Sequence, residues 1–142
     1  MALDCEALQA ALTAQNWRQA DDLTRILMTQ AAGSAATQRG WLYFSEVKRL
    51  QKEDLLTLNQ LWLEASGGRF GFSVQRQLWL AVGQHWEQLW PLLGWKSGSH
   101  WTRWPDEFIW DLSAPKGHLP LSNQLRGVQV FAALLTHPAW ES

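Results

Sequence analysis

The sequence predicts a small, mainly α-helical fold in a single domain over residues 1–142. Apolar residues recur at spacings of three and four along most of the chain, and the alternating pattern of strands is nearly absent. A length of 142 residues suffices for one hydrophobic core and is too short for two substantial ones. The helical pattern stops from about 94 to 120, which predicts one long ordered loop.

The first third of the chain predicts two short helices and a connector. Apolar residues spaced as on one helix face, interrupted near Asn16, predict a helical hairpin within residues 3–31. The segment 33–40 is polar, with a glycine at each end, and is interpreted as a connector. An aromatic cluster follows at 41–44, and Ser45 is the predicted N-cap of the next helix.

Four helices are predicted in the remainder, around the long loop. The clearest apolar stripe spans about 53–65 and ends at Ser66-Gly67-Gly68. Ser73 is the predicted N-cap of a helix from Val74 to about Val82. A short helix follows near 86–93, which Pro91 is expected to limit. A last helix is predicted after Ser122, with one apolar side formed by Leu125, Val128, Ala132 and Leu135.

Charge and cysteine content exclude several classes of protein. Twelve Lys and Arg against thirteen Asp and Glu give a net charge of −1, which disfavours general nucleic-acid binding. The single cysteine, Cys5, has no partner for an internal disulfide and fits a reducing compartment. The N-terminus has no secretory or transit pattern, and no apolar run reaches about 20 residues. These observations predict a soluble, cytoplasmic, bacterial protein without a transmembrane segment.

Tryptophan is the abnormal component, with eleven residues against one tyrosine. A surplus of this large, flat side chain indicates either an aromatic-rich core or a surface that receives a flat partner. For any one tryptophan the core is the stronger interpretation, whereas the whole set favours a flat partner. Tryptophan content alone would also fit carbohydrate binding, as a weaker alternative.

The glycine-rich stretch SGGRFGFSVQ, residues 66–75, does not predict an enzyme. It lacks the second glycine of a nucleophile elbow and the lysine of a phosphate loop. It is interpreted as the end of one helix and the start of another, with Phe70 and Phe72 buried between them. The four histidines lack the spacing of a zinc or haem site, and His118 is expected to fix a turn through hydrogen bonds. No catalytic residue and no bound metal are predicted.

Three segments carry a family resemblance: NWRQADDLTRILM at 16–28, DLLTLNQLWLEASGGRFGFSVQRQLW at 54–79, and WPDEFIWDLSAPKGHLP at 104–120. Together they closely resemble the core domain of the "genomes uncoupled four" family, the porphyrin-binding regulators of magnesium chelatase in oxygenic phototrophs. The resemblance implies a mainly helical fold with a cupped apolar ligand surface and a long loop. Many members add an N-terminal helical bundle, which is not expected here. The glycine-rich stretch then becomes the hinge between two helices that frame the cup.

The resemblance also implies site residues. A porphyrin needs an apolar or aromatic wall and a cation for its propionates. Trp104 and Phe108 match loop aromatics of the family, and Phe44 and Leu80 match apolar positions of the cup. Arg126 matches a cation on the last helix. Plain core packing is the alternative for Phe44 and Leu80, and a solvated surface position is the alternative for Arg126.

One position departs from the family pattern. Relatives carry a second arginine three residues after the position of Arg126, whereas this chain has Gln129. Glutamine can donate a hydrogen bond to a propionate, but a charge-assisted bond is about twice as strong. We therefore expect weaker binding of carboxylated porphyrins than in relatives with two arginines.

The implied function is that of a porphyrin-binding protein without catalysis, which binds protoporphyrin IX or magnesium-protoporphyrin IX and activates magnesium chelatase in chlorophyll biosynthesis. Its expected partner is the large porphyrin-binding subunit of the chelatase, and peripheral membrane contact is compatible with the sequence. A linear tetrapyrrole (bilin) sensor is one alternative. Another is a paralogue without ligand that serves as a protein–protein interaction module.

Overall fold

The computed structural model describes residues 3–121 and 128–141, and helices dominate them, as predicted. Helix lengths range from five to sixteen residues, and the strands form one two-stranded antiparallel hairpin. The helices are α1 (Glu6–Thr13), α2 (Trp17–Ala32), α3 (Ser34–Arg39), α4 (Phe44–Lys48), α5 (Lys52–Ser66), α6 (Phe72–Ala81), α7 (Trp86–Leu93) and α8 (Val128–Leu135). The strands are β1 (Lys96–Ser97) and β2 (His100–Trp101), and a 3-10 turn covers Pro138–Trp140.

The predicted hairpin of the first two helices is confirmed. The Asn16 side chain accepts the Gln19 N–H at 3.3 Å and so begins α2. Helices α1 and α2 pack together, and α1 also contacts α5. At their junction the indole of Trp17 lies 6.0 Å from that of Trp62, which donates to the Thr24 hydroxyl at 2.9 Å. This aromatic core joins α2 to α5.

The connector prediction for 33–40 and the N-cap prediction for Ser45 are wrong. Residues 34–39 form α3, and six residues are too few for a helical repeat of apolar residues to be recognised in the sequence. The Thr37 hydroxyl donates to the Thr29 carbonyl at 3.1 Å and so holds α3 against α2. Helix α4 begins at Phe44, so Ser45 lies inside it. The cap function passes to Glu46, whose carboxylate accepts the Tyr43 N–H at 2.8 Å.

The turn between α5 and α6 is a scaffold, as the glycine-rich stretch predicts, although Ser73 is not its N-cap. Helix α6 begins one residue before Ser73, and Asn59 on α5 takes over the local cap by accepting the Ser73 N–H at 3.0 Å. Gly71 has φ +140°, and a Cβ there would lie 2.9 Å from the Asn59 amide oxygen. Both the backbone and the close approach of α5 therefore require glycine. Phe70 and Phe72 are buried, as predicted.

The long loop predicted for 94–120 is confirmed and contains only the β1–β2 hairpin as regular structure. It is bound along its second half to the α5–α6 turn. Gly117 N–H donates to the Arg69 carbonyl at 2.9 Å, and Gly71 N–H donates to the Leu119 carbonyl at 3.0 Å. Gln75 on α6 adds bonds from its amide to the carbonyls of Gly117 and Pro120, at 3.0 and 2.7 Å.

The predicted apolar side of the last helix is only partly right. Leu125 lies outside the described residues, Val128 is exposed, and Leu135 is buried. The buried residues of α8 cover more than one stripe, because α4 and α6 both pack on this helix; they are Val130, Phe131, Ala133, Leu134 and Leu135. Pro91 is accommodated inside α7, which ends at Gly94 in the left-handed conformation.

A second aromatic cluster fills the space between α6, α7, α8 and the hairpin. The indoles of Trp79, Trp86, Trp90 and Trp95 stack in sequence with ring centroids 5.2, 5.4 and 5.9 Å apart. Phe131 from α8 contacts the last three of these rings. Among the described residues, no helix is both long and apolar enough to cross a membrane.

Candidate functional site

A cavity of about 120 Å³ lies between α2 and α8, and we call it the α2–α8 cavity. Its wall is mostly apolar and includes one guanidinium; it consists of Arg25, Met28, Thr29, Gly40, Trp41, Leu42, Phe72, Leu121, Val130 and Leu134. Three exposed apolar residues, Ile26, Tyr43 and Val128, lie within two positions of lining residues along the chain. Ligand sites for molecules of drug size are typically about 300–1,000 Å³. At about 120 Å³ the α2–α8 cavity is smaller than such sites.

The turn that carries Trp41 is fixed by Arg39. This guanidinium bonds the Glu46 carboxylate, and its Nε donates to the Trp41 carbonyl at 3.2 Å. It also stacks near the rings of Trp41 and Tyr43, at 4.7 and 4.2 Å from their centroids. Arg39 thus holds the rings of Trp41, which lines the cavity, and of Tyr43 in fixed positions.

The opposite wall depends on a buried acid of α2. Asp21 is fully buried and accepts the Leu121 N–H at 2.7 Å, a bond across 100 positions of the chain. Its second oxygen bonds Arg25, which also bonds Asp22. Burial raises the pKa of Asp21 to about 6, against the opposing effects of Arg25 and the Leu121 N–H. This acid therefore sets the positions of two lining residues, Arg25 and Leu121.

His118 anchors the other end of the loop, as the sequence predicts. Its Nδ1 lies 2.7 Å from the Leu93 carbonyl, and its Nε2 accepts the Ile109 N–H at 3.1 Å. These partners assign the neutral ring with the proton on Nδ1. Burial lowers the pKa of His118, which agrees with a neutral imidazole.

The predicted loop aromatics lie in different environments. Trp104 is 52% exposed, and the guanidinium of Arg18, at the start of α2, lies 5.6 Å from its ring. Phe108 is buried, with its ring 5.4 Å from that of His118 and 6.2 Å from that of Trp110. Trp104 is thus available to a ligand, whereas Phe108 packs inside the loop; ligand contact by either residue stays a prediction.

The other predicted residues are distributed over three helices. Phe44 begins α4 and is exposed, with the Lys48 ammonium 5.4 Å from its ring. Gln129 is exposed on α8, the helix against which α4 packs. Leu80 is exposed near the end of α6 and does not line the described cavity. Arg126 lies outside the described residues. Phe44 and Gln129 therefore lie on neighbouring elements, and the roles of all four residues stay predictions.

Sequence reasoning missed the residues that line the cavity. Trp41 had a signal, since it begins the aromatic cluster at 41–44. The only sequence signal for Arg25 and Asp21 was their i,i+4 spacing, which is typical of an ordinary ion pair on a helix surface. No residue near Asp21 in the sequence indicates that its side chain is buried. Among the described residues, no group of three or more His, Cys, Asp or Glu is placed to hold a metal ion.

Comparisons with known proteins agree with this architecture. The "Ycf53-like protein" of Synechocystis is 56% identical over 138 residues, which cover 97% of this chain and 59% of that protein. The "Tetrapyrrole-binding protein, chloroplastic" of Arabidopsis thaliana is 42% identical over 144 residues, covering 95% of this chain and 54% of that protein. This chain therefore spans less than two thirds of the length of these relatives.

A solved structure supports the same assignment. The ligand-free structure of Arabidopsis thaliana GUN4 superposes with a TM-score of 0.89 at 43% identity, over 97% of this chain and 95% of that one. The model of the family described as GUN4-like matches residues 1–138. With a family match over nearly the whole length and the same helical fold, this chain belongs to the GUN4-like family.

Proposed function

We propose that this chain binds a tetrapyrrole at the α2–α8 cavity and the exposed aromatic surface beside it. The observation that carries the proposal is the mostly apolar cavity, which is lined by Trp41 and by one cationic residue, Arg25. A porphyrin combines a flat apolar ring with two carboxylates, so it matches both features. Covering about 200 Å² of apolar surface on one face would contribute about 5 kcal/mol before association costs. Family membership and the name of the Arabidopsis relative support the same ligand class.

The finer proposal is that the bound ligand is protoporphyrin IX or magnesium-protoporphyrin IX, which the chain presents to magnesium chelatase and thereby activates it. Membership of the GUN4-like family supports this role, which needs no catalytic group in the chain itself. Phe44, Leu80, Trp104, Phe108, Arg126 and Gln129 are the proposed contacts from sequence, and Trp41 and Arg25 join them from the cavity wall.

An absorbance and fluorescence titration tests the ligand class. Protoporphyrin IX, its magnesium form and a bilin are each added to the chain, and a porphyrin should give a saturable band shift with tryptophan quenching. Trp41→Ala should weaken porphyrin binding by about 1–3 kcal/mol, the usual cost of removing an aromatic anchor. Trp101→Ala is the matched control, because Trp101 is exposed in β2 and does not line the cavity.

The outcomes separate the alternatives. Saturable binding of the bilin alone would favour a linear-tetrapyrrole sensor. Failure of every tetrapyrrole to bind would contradict the proposal and favour an interaction module. In a reconstituted magnesium chelatase assay the chain should raise the rate of metal insertion, while the chain alone should show neither ATP hydrolysis nor metal insertion. Tight porphyrin binding without stimulation would indicate storage or photoprotection.

A further inference from the structure

Arg25 is the single charged side chain among the described residues that line the α2–α8 cavity. It is about one-third exposed, so a ligand can reach it. However, its guanidinium is already bonded to two carboxylates, those of Asp21 and Asp22. With both acids ionised, this cluster has one net negative charge. In that state it repels a carboxylated ligand and does not attract it.

The two carboxylates differ in their surroundings. The side chain of Asp22 is 46% exposed, so water solvates its charge. The side chain of Asp21 is fully buried, and its partners are Arg25 and the Leu121 N–H. If Arg25 turned toward a ligand, Asp22 could remain charged in water. Asp21 could not, because an unpaired charge in a buried position is strongly disfavoured.

Resting on the proposed function, we infer that Asp21 determines the specificity for carboxylated ligands by coupling their binding to proton uptake. A ligand carboxylate replaces Asp21 as a partner of Arg25, and Asp21 takes one proton from solvent on the oxygen that Arg25 leaves. The other oxygen continues to accept the Leu121 N–H. The O–H bond formed on Asp21 is the one covalent change in this exchange. The site gains one ligand carboxylate and one proton. A ligand without carboxylates would cause no such exchange.

The electrostatics of Asp21 are suited to this exchange. Its pKa is raised by burial to about 6, so a proton is accessible near neutral pH. The charged groups acting on it are Arg25 and Asp22, both on α2, and the loop contributes the Leu121 N–H. Helices α1 and α3 also pack against α2, but their charged residues, Glu6 and Arg39, are not among the groups that shift Asp21. Loss of Arg25 as a partner would raise the pKa further, which favours proton uptake on binding.

Proton linkage can be measured on the unmodified chain. Calorimetric titration with protoporphyrin IX at pH 7.5, in two buffers of different ionisation enthalpy, should show uptake of about 0.5–1 proton per ligand. In fluorescence titrations the affinity should fall about six- to thirtyfold from pH 6.5 to 8, as uptake of that size requires over about 1.5 pH units. Asp21→Asn should remove the proton uptake and bind more tightly than the parent at pH 8, because asparagine keeps an acceptor for Leu121 N–H without the charge.

Asp22→Asn is the matched control, since it removes a carboxylate from the same guanidinium but leaves the buried acid. It should keep both the proton uptake and the pH dependence. Circular dichroism establishes that each variant is folded, and the parent calorimetry decides the matter if Asp21→Asn does not fold. Porphyrin binding with no proton uptake, or an Asp21→Asn variant with the parent pH dependence, would overturn this inference alone. A parent chain that binds no tetrapyrrole would overturn the proposed function as well.

Discussion

At the residue scale, His118 shows how one buried side chain fixes two parts of the loop. It donates to the Leu93 carbonyl at the end of α7 and accepts the Ile109 N–H within the loop. Only the neutral ring can do both, since a protonated imidazole has no acceptor. The loop is therefore tied to α7 through a group whose protonation would break one of its bonds.

Replacing His118 with leucine should destabilise the protein by about 2–4 kcal/mol at pH 7.5, because two backbone groups, the buried Leu93 carbonyl and the Ile109 N–H, lose their partner. The folded-state pKa of His118 lies below its ordinary value of 6.5, so the unfolded chain binds the proton more readily. The stability that His118 contributes is complete above pH 6.5 and is lost as the pH falls toward the lowered pKa.

Urea unfolding at pH 7.5 and 5.5 measures this effect. The difference in stability between the parent and His118→Leu should shrink at pH 5.5. The exposed His85 provides the control, and His85→Leu should change stability by less than about 0.5 kcal/mol. An equal difference for His118→Leu at both pH values would contradict a neutral, pH-sensitive anchor.

The departure at Gln129 gives a second prediction at this scale, which rests on the proposed function. Gln129 is exposed on α8, so an arginine there can be accommodated without repacking. Gln129→Arg should tighten binding of protoporphyrin IX by about 0.5–1.5 kcal/mol and make it more sensitive to salt. Gln88→Arg, on the exposed side of α7, adds the same charge and should leave affinity unchanged. Equal affinities for the parent and Gln129→Arg at low salt would place the propionates elsewhere.

At the element scale, the α5–α6 turn and the second half of the loop form one unit. The backbone bonds of Gly71 and Gly117 join them directly, and the Arg69 Nε adds a bond to the Ala114 carbonyl at 2.7 Å. A Cβ on Gly117, at φ +81°, would come within 2.9 Å of Leu78 and Leu93. The glycine-rich stretch thus holds the loop against α6 and α7.

Gln75→Leu should destabilise the protein by about 1–3 kcal/mol, because the carbonyls of Gly117 and Pro120 lose their common donor in a buried site. Gln77→Leu is the matched control on the exposed side of the same helix and should cost less than about 0.5 kcal/mol. Hydrogen exchange should show faster opening in residues 114–121 for Gln75→Leu only. Equal unfolding energies for the two variants would show that this bond pair does not hold the loop.

At the scale of the whole molecule, the eleven tryptophans divide between core and surface. Five are buried, four are partly buried, and two, Trp101 and Trp104, are exposed. The core interpretation therefore holds for most of them, in two clusters: one around Trp17 and Trp62, and one around Trp90. The surface interpretation is left to Trp104 and to rings such as Trp41 that line the cavity.

Two substitutions should separate stability from binding. Trp90→Ala should destabilise the protein by about 3–5 kcal/mol, since its ring contacts Trp86, Trp95, Trp101 and Phe131. Trp104→Ala should cost less than about 1 kcal/mol in thermal or urea unfolding, yet weaken porphyrin binding by about 1–3 kcal/mol. A Trp104→Ala variant with parent affinity would remove this residue from the proposed site.

The sequence by itself determined the helical class, the α1–α2 hairpin, the extent of the long loop and the scaffold role of the glycine-rich stretch. These features follow from periodicity and turn chemistry, which depend on residues close together in the chain. The resemblance in three segments also predicted the family, which the comparisons confirm. The predictions of Ser45 and Ser73 as N-caps were wrong. The N–H groups at the starts of α4 and α6 are bonded instead by the side chains of Glu46 and Asn59, which do not occupy the N-cap position.

Only the tertiary structure decided where the candidate site lies. The bond from Leu121 N–H to Asp21 spans 100 positions, and the cavity combines α2, the Trp41 turn and α8. No local pattern distinguishes Asp21 from the half-exposed Asp22 beside it, since both fit an ion pair with Arg25. Burial separates them, and burial depends on which distant segment packs over a helix. That packing raises the pKa of one acid and leaves the other in water.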